Sequence, residues 1–254
     1  MFDTHCHLNF KAFSTTGRSP FGRDDRVEEV INNAKKVGVN YFVVPGTDID
    51  TSKKAVEIAK KYDGVYAAVG IHPHHIYLYQ TSNFKYQKDR FNIKNKTMSH
   101  PGFISPRLTR FQDRLSKKQM LNQVQHDILR IEKLLTNPRV VAVGEVGVDR
   151  HYYNKTKYAD YRIDESFIGL QKEFLRRQIE LAIKYDKSLI LHNREAKKDL
   201  LDILLEVWSE KLEGKTVFHC CEPDFVETGH APSLLHFAKK HNIYIGVDGD
   251  VTYW

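Results

Sequence analysis

The chain has 254 residues, enough to bury a full core and about the size of a single closed α/β barrel, so one domain over 1–254 is expected. Hydrophobic residues make up 41% and charged residues 28%, which excludes chain-wide disorder, and no run approaches the roughly 18 apolar residues of a membrane span. The net charge is +7, and the start, with Asp3, His5 and His7, lacks the basic-then-apolar order of a signal peptide, so a cytoplasmic or nuclear protein without a membrane partner is expected.

The first element is the short strand FDTHCHL, with Cys6 between His5 and His7. It reads as a metal-binding strand end, as a redox or haem feature built on Cys6, or as a plain strand. Adjacent Cys220 and Cys221 make no CxxC, Cys6 lacks the CxxCH spacing, and three cysteines are an odd number in a chain too large to need disulfides. The redox and haem readings therefore lose their support. In an extended strand a spacing of two sends both imidazoles to one side and turns Cys6 the other way, into the barrel.

DRVEEVINNAKKV then predicts a helix with Val27, Val30, Ile31, Ala34 and Val37 on one face, stopped by Gly38. NYFVVPG is strand two, SKKAVEIAKKY a helix, and VYAAVGIHPHH strand three running into a histidine-rich loop. The pattern then breaks over 77–119. Between Thr81 and Met120, ten Lys or Arg stand against two Asp, with Phe84, Tyr86, Phe91, Phe103 and Phe111 among them. That mixture suits phosphate contacts with base stacking, and equally a solvated basic insertion.

The alternation resumes with a helix in QMLNQVQHDILRIEKLL, striped by Met120, Val124, Ile128, Ile131 and Leu135, and strand four, RVVAVGEVG. The long helix DESFIGLQKEFLRRQIELAIKY, strand KSLILH, helix AKKDLLDILLEVWSEKL, strand KTVFHC, helix PSLLHFAKKH and strand IYIGV follow. Nearly continuous apolar strands alternating with helices predict a parallel sheet covered by helices. The expected fold class is α/β, a TIM-type (β/α)8 barrel lacking its eighth strand segment, with a doubly wound open sheet as the competitor.

Metal-capable side chains fall at the ends of these strands: His5 and His7 on strand one, Glu145 on four, His192 on five and His219 on six. Barrel active sites are built at such carboxyl ends, and one glutamate can bridge two divalent ions held by imidazoles. Each residue also has a plain reading: His219 as a satisfied core histidine, His192 as a strand end bonded to backbone.

FDTHCHLNF, VGIHPHH, VGEVGVDRHYY, QKEFLRRQIELA, LHNREA, VFHC and IYIGVDGDVTY occur in the order and character of the TatD-like metal-dependent hydrolases, which this chain resembles everywhere except from Tyr77 to about Gln119. The resemblance implies an amidohydrolase-type barrel, two divalent ions (Mg, Mn or Zn), and hydrolysis of DNA phosphodiester bonds, with single-stranded DNA or 3′ ends as partner and a 3′–5′ exodeoxyribonuclease activity. It implies that His5 and His7 hold the first ion, that Glu145 bridges, and that His192 and His219 hold the second. His72 and Arg194 are expected at substrate phosphate, with an ordinary surface salt bridge as the plain reading of Arg194, and Asp3 and Asp149 read as carboxylates orienting ligand histidines or equally as helix or turn caps. His74 and His75 are expected as exposed bystanders.

The family also carries an Asp after its eighth strand, in a segment like ETDAPYL, as first-metal ligand and general base. That Asp is expected beyond Trp254, because Asp248 and Asp250 match the preceding segment. The domain is therefore expected to be C-terminally incomplete and the protein a monomer. HCCEPD departs from the family's HCFSG: Pro223 stiffens the turn and Glu222 adds negative charge beside a phosphate site. Rival readings are a hydrolase of a small phosphoester or amide, and a catalytically weak nucleic-acid-binding protein.

Overall fold

The predicted alternation of helix and strand periods becomes one parallel sheet with helices on its outer face. The computed structural model describes residues 1–10, 25–79, 122–156, 158, 161–219 and 233–246. Among them the strands are β1 (Phe2–Asp3), β2 (Tyr41–Pro45), β3 (Val65–Val69), β4 (Val140–Asp149), β5 (Ser188–Arg194), β6 (Thr216–His219) and β7 (Tyr244–Ile245). All neighbours pair in parallel, in the unbroken order β1 to β7. A doubly wound sheet would reverse its order partway, so the winding is that of the (β/α)8 barrel. The sheet is curled: the ring of His5, just past β1, stacks on that of His219 at the end of β6 with centroids 3.4 Å apart.

The helices are α1 (Asp25–Lys36), α2 (Ile49–Lys61), α3 (residues 122–135), α4 (Glu165–Lys184), α5 (Lys197–Val207) and α6 (Leu234–Lys240). Their starts are set by side chains that satisfy otherwise unpaired first-turn N–H groups. Asp48 and Thr51 form a reciprocal capping box on α2, Asp164 accepts from Phe167 N (2.8 Å) on α4, and Ser233 accepts from His236 N (3.1 Å) on α6. Gly64, at φ +82°, turns the chain from α2 into β3 where a side chain would run into the Asn40 carbonyl.

The main core lies between the sheet and its helices, where Val44, Ala67, Val143, Leu189 and Phe218 meet Ile31, Val56, Ile131, Phe174 and Leu204. Val43, Ala68, Ala142 and Ile190, on the opposite strand faces, form a small separate cluster inside the curl. Cys6 packs against the outer core and its Sγ donates to the Val43 carbonyl (3.3 Å), so it turns away from the histidines but outward, not into the barrel interior.

Besides Cys6, the bounds of several elements need correction, among them α5, which ends at Val207 and not in WSEKL. Strand one is shorter than FDTHCHL: only Phe2 and Asp3 pair, and Asp3 ends the run by accepting from His5 N (2.9 Å). The buried face of α1 is narrower, since Val27 and Ile31 are buried while Val30 and Val37 are 39% and 72% exposed; the helix stops at Lys36, before Val37. Of the segment 77–119, only Tyr77, Leu78 and Tyr79 are described. Its basic charges, Met120, Cys220 to Asp224, Asp248 and Asp250 lie outside the described residues.

Candidate metal centre

Glu145 is the hub of the carboxyl-end pocket. Between Val143 and Val146 the β4–β5 register shifts, and the Glu145 N–H donates not to the ladder but to the carbonyl of Gly46 beyond β2 (3.0 Å). Such an irregularity re-aims a side chain, here into the curl of the sheet. The carboxylate is buried, and around it stand His5 Nε2 at 3.3 Å, His7 Nε2 at 3.8 Å, His72 Nε2 at 3.5 Å, His192 Nδ1 at 2.9 Å and His219 Nε2 at 3.7 Å. Burial alone would raise its pKa, but the surrounding imidazoles hold it well below the ordinary carboxylate range, so Glu145 stays ionised.

On the β5 side the histidine is fixed by hydrogen bonds. Gly147 is the register partner of His192, and a Cβ there would overlap the His192 carbonyl oxygen, so only glycine lets the two strands lie this close. His192 Nε2 lies 3.2 Å from Asp149 Oδ2 and Nδ1 faces Glu145. Burial would lower the His192 pKa, yet the bonds to Asp149 and Glu145 outweigh it and raise it to about 9. Asp149 is itself held: Oδ1 accepts from His151 N (2.8 Å) and Oδ2 from the Tyr153 hydroxyl (2.8 Å). Its backbone is clamped by the buried Gln171 of α4, which accepts from Asp149 N (2.8 Å) and donates to Asp149 O (3.1 Å). Gln178, two turns along α4, clamps Ile71 in the same way (2.7 and 3.2 Å), steadying the loop that carries His72.

His72 is brought to the same carboxylate, but its tautomer is set against metal binding. Its Nδ1 accepts from His74 N (3.1 Å), so the neutral ring carries its proton on Nε2 and presents an N–H toward Glu145. Burial keeps this imidazole neutral by lowering its pKa.

On the β1 side the support is different. His5 Nε2 and His7 Nε2 approach to 2.9 Å, and the two rings meet edge to face. His5 Nδ1 is buried with no hydrogen-bond partner among the described residues, and His7 Nδ1 lies near the Pro45 carbonyl without a well-formed bond. Aromatic packing holds them: His5 lies on His219, and His7 on Phe10 at 4.1 Å. Burial pushes His7 and His219 down to about 4, which leaves neutral imidazoles with lone pairs to give. Asp3 serves His5 through its backbone N–H and not through the ring.

Ligand atoms converge in two groups, His5–His7–Glu145 and His72–Glu145–His192, each within 4.8 Å. Imidazoles around one ionised carboxylate are a donor set that fits divalent ions of the zinc, manganese or magnesium type, with His192, raised to about 9, giving up its proton when an ion binds, and the unpartnered His5 Nδ1 able to carry that ring's proton while Nε2 faces the cluster. A cavity of about 240 Å³ opens above, lined by His7, Phe10, Thr47, His72, His74, His75, Glu145 and Tyr153. His74 and His75 are half-buried in that lining, with His75 Nδ1 2.9 Å from the Tyr158 hydroxyl, and so are not exposed bystanders. Arg194 is exposed at the rim; its guanidinium lies 5.3 Å over the Tyr153 ring and Nη1 donates to the Tyr153 hydroxyl (3.2 Å). Tyr153, Phe10 and the glutamines of α4 went unsingled in the sequence. Tyr153 stands four residues past Asp149 in a tyrosine-rich loop, the one signal that could have flagged it.

A sequence model described as TatD related DNase matches residues 2–254. Similar proteins include the uncharacterised metal-dependent hydrolase YabD of Bacillus subtilis, 29% identical over 253 residues that cover 100% of this chain and 70% of YabD. The 3′-5′ ssDNA/RNA exonuclease TatD of Escherichia coli is 24% identical over 249 residues, 98% of this chain and 67% of its own. The crystal structure of the E. coli TatD homologue YjjV superposes with a TM-score of 0.58 at 23% identity, over 99% of this chain and 69% of that one, a likeness of fold.

Proposed function

The chain belongs to the TatD-related DNase family and is a metal-dependent hydrolase; from that premise we propose that it cleaves phosphodiester bonds in DNA, removing nucleotides from the 3′ ends of single strands. The observation that carries the reading is the single buried carboxylate, Glu145, shared by two groups of imidazoles.

In this reading His5 and His7 hold one ion with Glu145, and His192, with His219 beside it, holds the other. Divalent ions bound there supply Lewis acidity toward a phosphoryl oxygen and lower the pKa of a coordinated water. The chain's own residues do the positioning. Glu145 keeps its negative charge in a buried setting, and Asp149 fixes the His192 ring so that Nδ1 faces the cluster. His72 lines the cavity with its Nε2–H toward Glu145 (3.5 Å), a contact long enough to be shared with an entering phosphate oxygen, and Arg194 at the rim has guanidinium donors beyond the one given to Tyr153. The basic, aromatic-rich stretch 77–119 supplies charge for a DNA backbone.

The test is incubation of the purified full-length protein with a 5′-labelled single-stranded oligonucleotide and manganese or magnesium. Stepwise shortening from the 3′ end that stops with EDTA and with Glu145→Ala is the expected result. Absence of EDTA-sensitive cleavage, or equal cleavage by Glu145→Ala, would sink the proposal, and turnover of an aryl phosphate without DNA cleavage would move the substrate to small phosphoesters.

A further inference from the structure

We infer that Tyr153 is a positioning residue that ties the exposed cation Arg194 to the buried ligand His192, so that the guanidinium at the rim and the metal group below it are held as one unit. The inference rests on the reading of Arg194 as a phosphate contact and of His192 as a metal ligand.

The chain of contacts is continuous. Arg194 Nη1 donates to the Tyr153 hydroxyl (3.2 Å), that hydroxyl donates to Asp149 Oδ2 (2.8 Å), the same oxygen lies 3.2 Å from His192 Nε2, and His192 Nδ1 lies 2.9 Å from Glu145. Register makes it compact: Asp149 pairs with Arg194, and Gly147 with His192, so the cation and the ligand leave the same strand two residues apart. The hydroxyl is used in both senses, accepting from a cation and donating to a carboxylate, a role no residue without both capacities can fill. The ring contributes separately, lying under the guanidinium and against His151. Loss of the Tyr153 hydroxyl leaves Asp149 Oδ1 on His151 N but strips Oδ2 of its second partner beside His192, so the carboxylate is held less firmly against the imidazole and Arg194 loses its link to it.

Tyr153→Phe keeps the ring and removes only the hydroxyl. Metal titration of the metal-stripped protein with manganese, followed calorimetrically, is expected to show the variant weakened by about tenfold, the lower end of the range for losing the carboxylate directly behind a ligand histidine, because Tyr153 acts through Asp149. Arg194→Gln changes charge near the ions, so its direct effect is removed by a double-mutant cycle: its effect on manganese affinity in the wild type and in Tyr153→Phe should differ by about threefold or more. Additive effects, or an affinity of Tyr153→Phe within about twofold of wild type, would overturn the inference. If Tyr153→Phe lowers the unfolding midpoint, Asp149→Asn breaks the next link, and the Arg194→Gln coupling must vanish in that background as well. These readouts need no DNA and so stand apart from failure of the nuclease proposal. On the oligonucleotide, Tyr153→Phe should raise KM through Arg194 and lower kcat through His192, whereas a change in kcat alone would count against the link to Arg194.

Discussion

The two walls of the metal pocket are built by different physics. On the β4–β5 wall each functional atom has a hydrogen-bonded backer: His192 has Asp149, Asp149 has Tyr153 and His151 N, and Gln171 pins the strand end. On the β1 wall a strand of two residues delivers His5 and His7, whose Nε2 atoms meet each other at 2.9 Å, and ring stacking on His219 and Phe10 stands in for a hydrogen-bonded backer at either Nδ1. Stacking fixes the plane of a ring but not which nitrogen carries the proton, whereas a carboxylate behind an imidazole fixes both. The β4–β5 wall is therefore preorganised for a cation, and the β1 wall is organised by one.

That contrast predicts two unequal steps in a metal titration, the tighter on the β4–β5 wall. The largest effect is expected for Glu145→Ala, which removes the carboxylate common to both groups: both steps should weaken by more than the roughly 10–100-fold typical of losing a supporting residue. Asp149→Asn should separate the walls, costing the tight step about 10–100-fold and leaving the weak step in place; equal loss in both steps would erase the distinction.

Asp127 on α3 sharpens the comparison as a carboxylate equally well supported but remote from the pocket. It accepts from the Tyr79 hydroxyl (2.7 Å), Gln123 Nε2 (3.0 Å) and Arg130 Nη1 (3.1 Å). Burial would raise its pKa, but these donors prevail and hold it below the ordinary 3.8. Asp127→Asn should leave both metal steps unchanged and cost about 1–3 kcal/mol in urea unfolding at neutral pH. Since the folded pKa is depressed, the carboxylate's contribution is fully present above the unfolded value and fades as pH falls through the folded one. The gap between wild type and variant should therefore close in acid below the ordinary 3.8. The smallest effect is expected for Phe10→Ala, which strips the stacking partner of His7: the weak step alone should lose about 0.5–1.5 kcal/mol, roughly 2–10-fold in affinity.

Much of this was legible in the chain. Helices α3, α4 and α6 fall where apolar periodicity put them, because that signal is local, while α2 starts earlier than SKKAVEIAKKY, at Ile49 behind the Asp48 cap, and α5 ends at Val207, short of the expected WSEKL. His5, His7, Glu145, His192 and His219 could be picked out because ligand chemistry is restricted to few residue types and strand ends are recognisable. What escaped was the support. Gln171 and Gln178 read as ordinary polar positions on a helix, yet both are fully buried, since the backbone groups they satisfy belong to the end of β4 and to the loop after β3, 22 and 107 residues away in sequence. His72 and His74 lie two residues apart, and only the turn of Pro73–Ile76 decides that one presents its N–H to the ring of the other.

By itself the sequence determined the element order, the parallel α/β class and the donor set around Glu145, because each follows from side-chain type and spacing along a strand or helix. Only the tertiary structure decided which wall is rigid. That property depends on partners distant along the chain: Tyr153 reaching Arg194, α4 reaching β4, and His219 closing over His5 through the curl of the sheet. Hydrogen bonds fix a tautomer only when both atoms are in place, and spacing within a single element cannot say where the second atom will be.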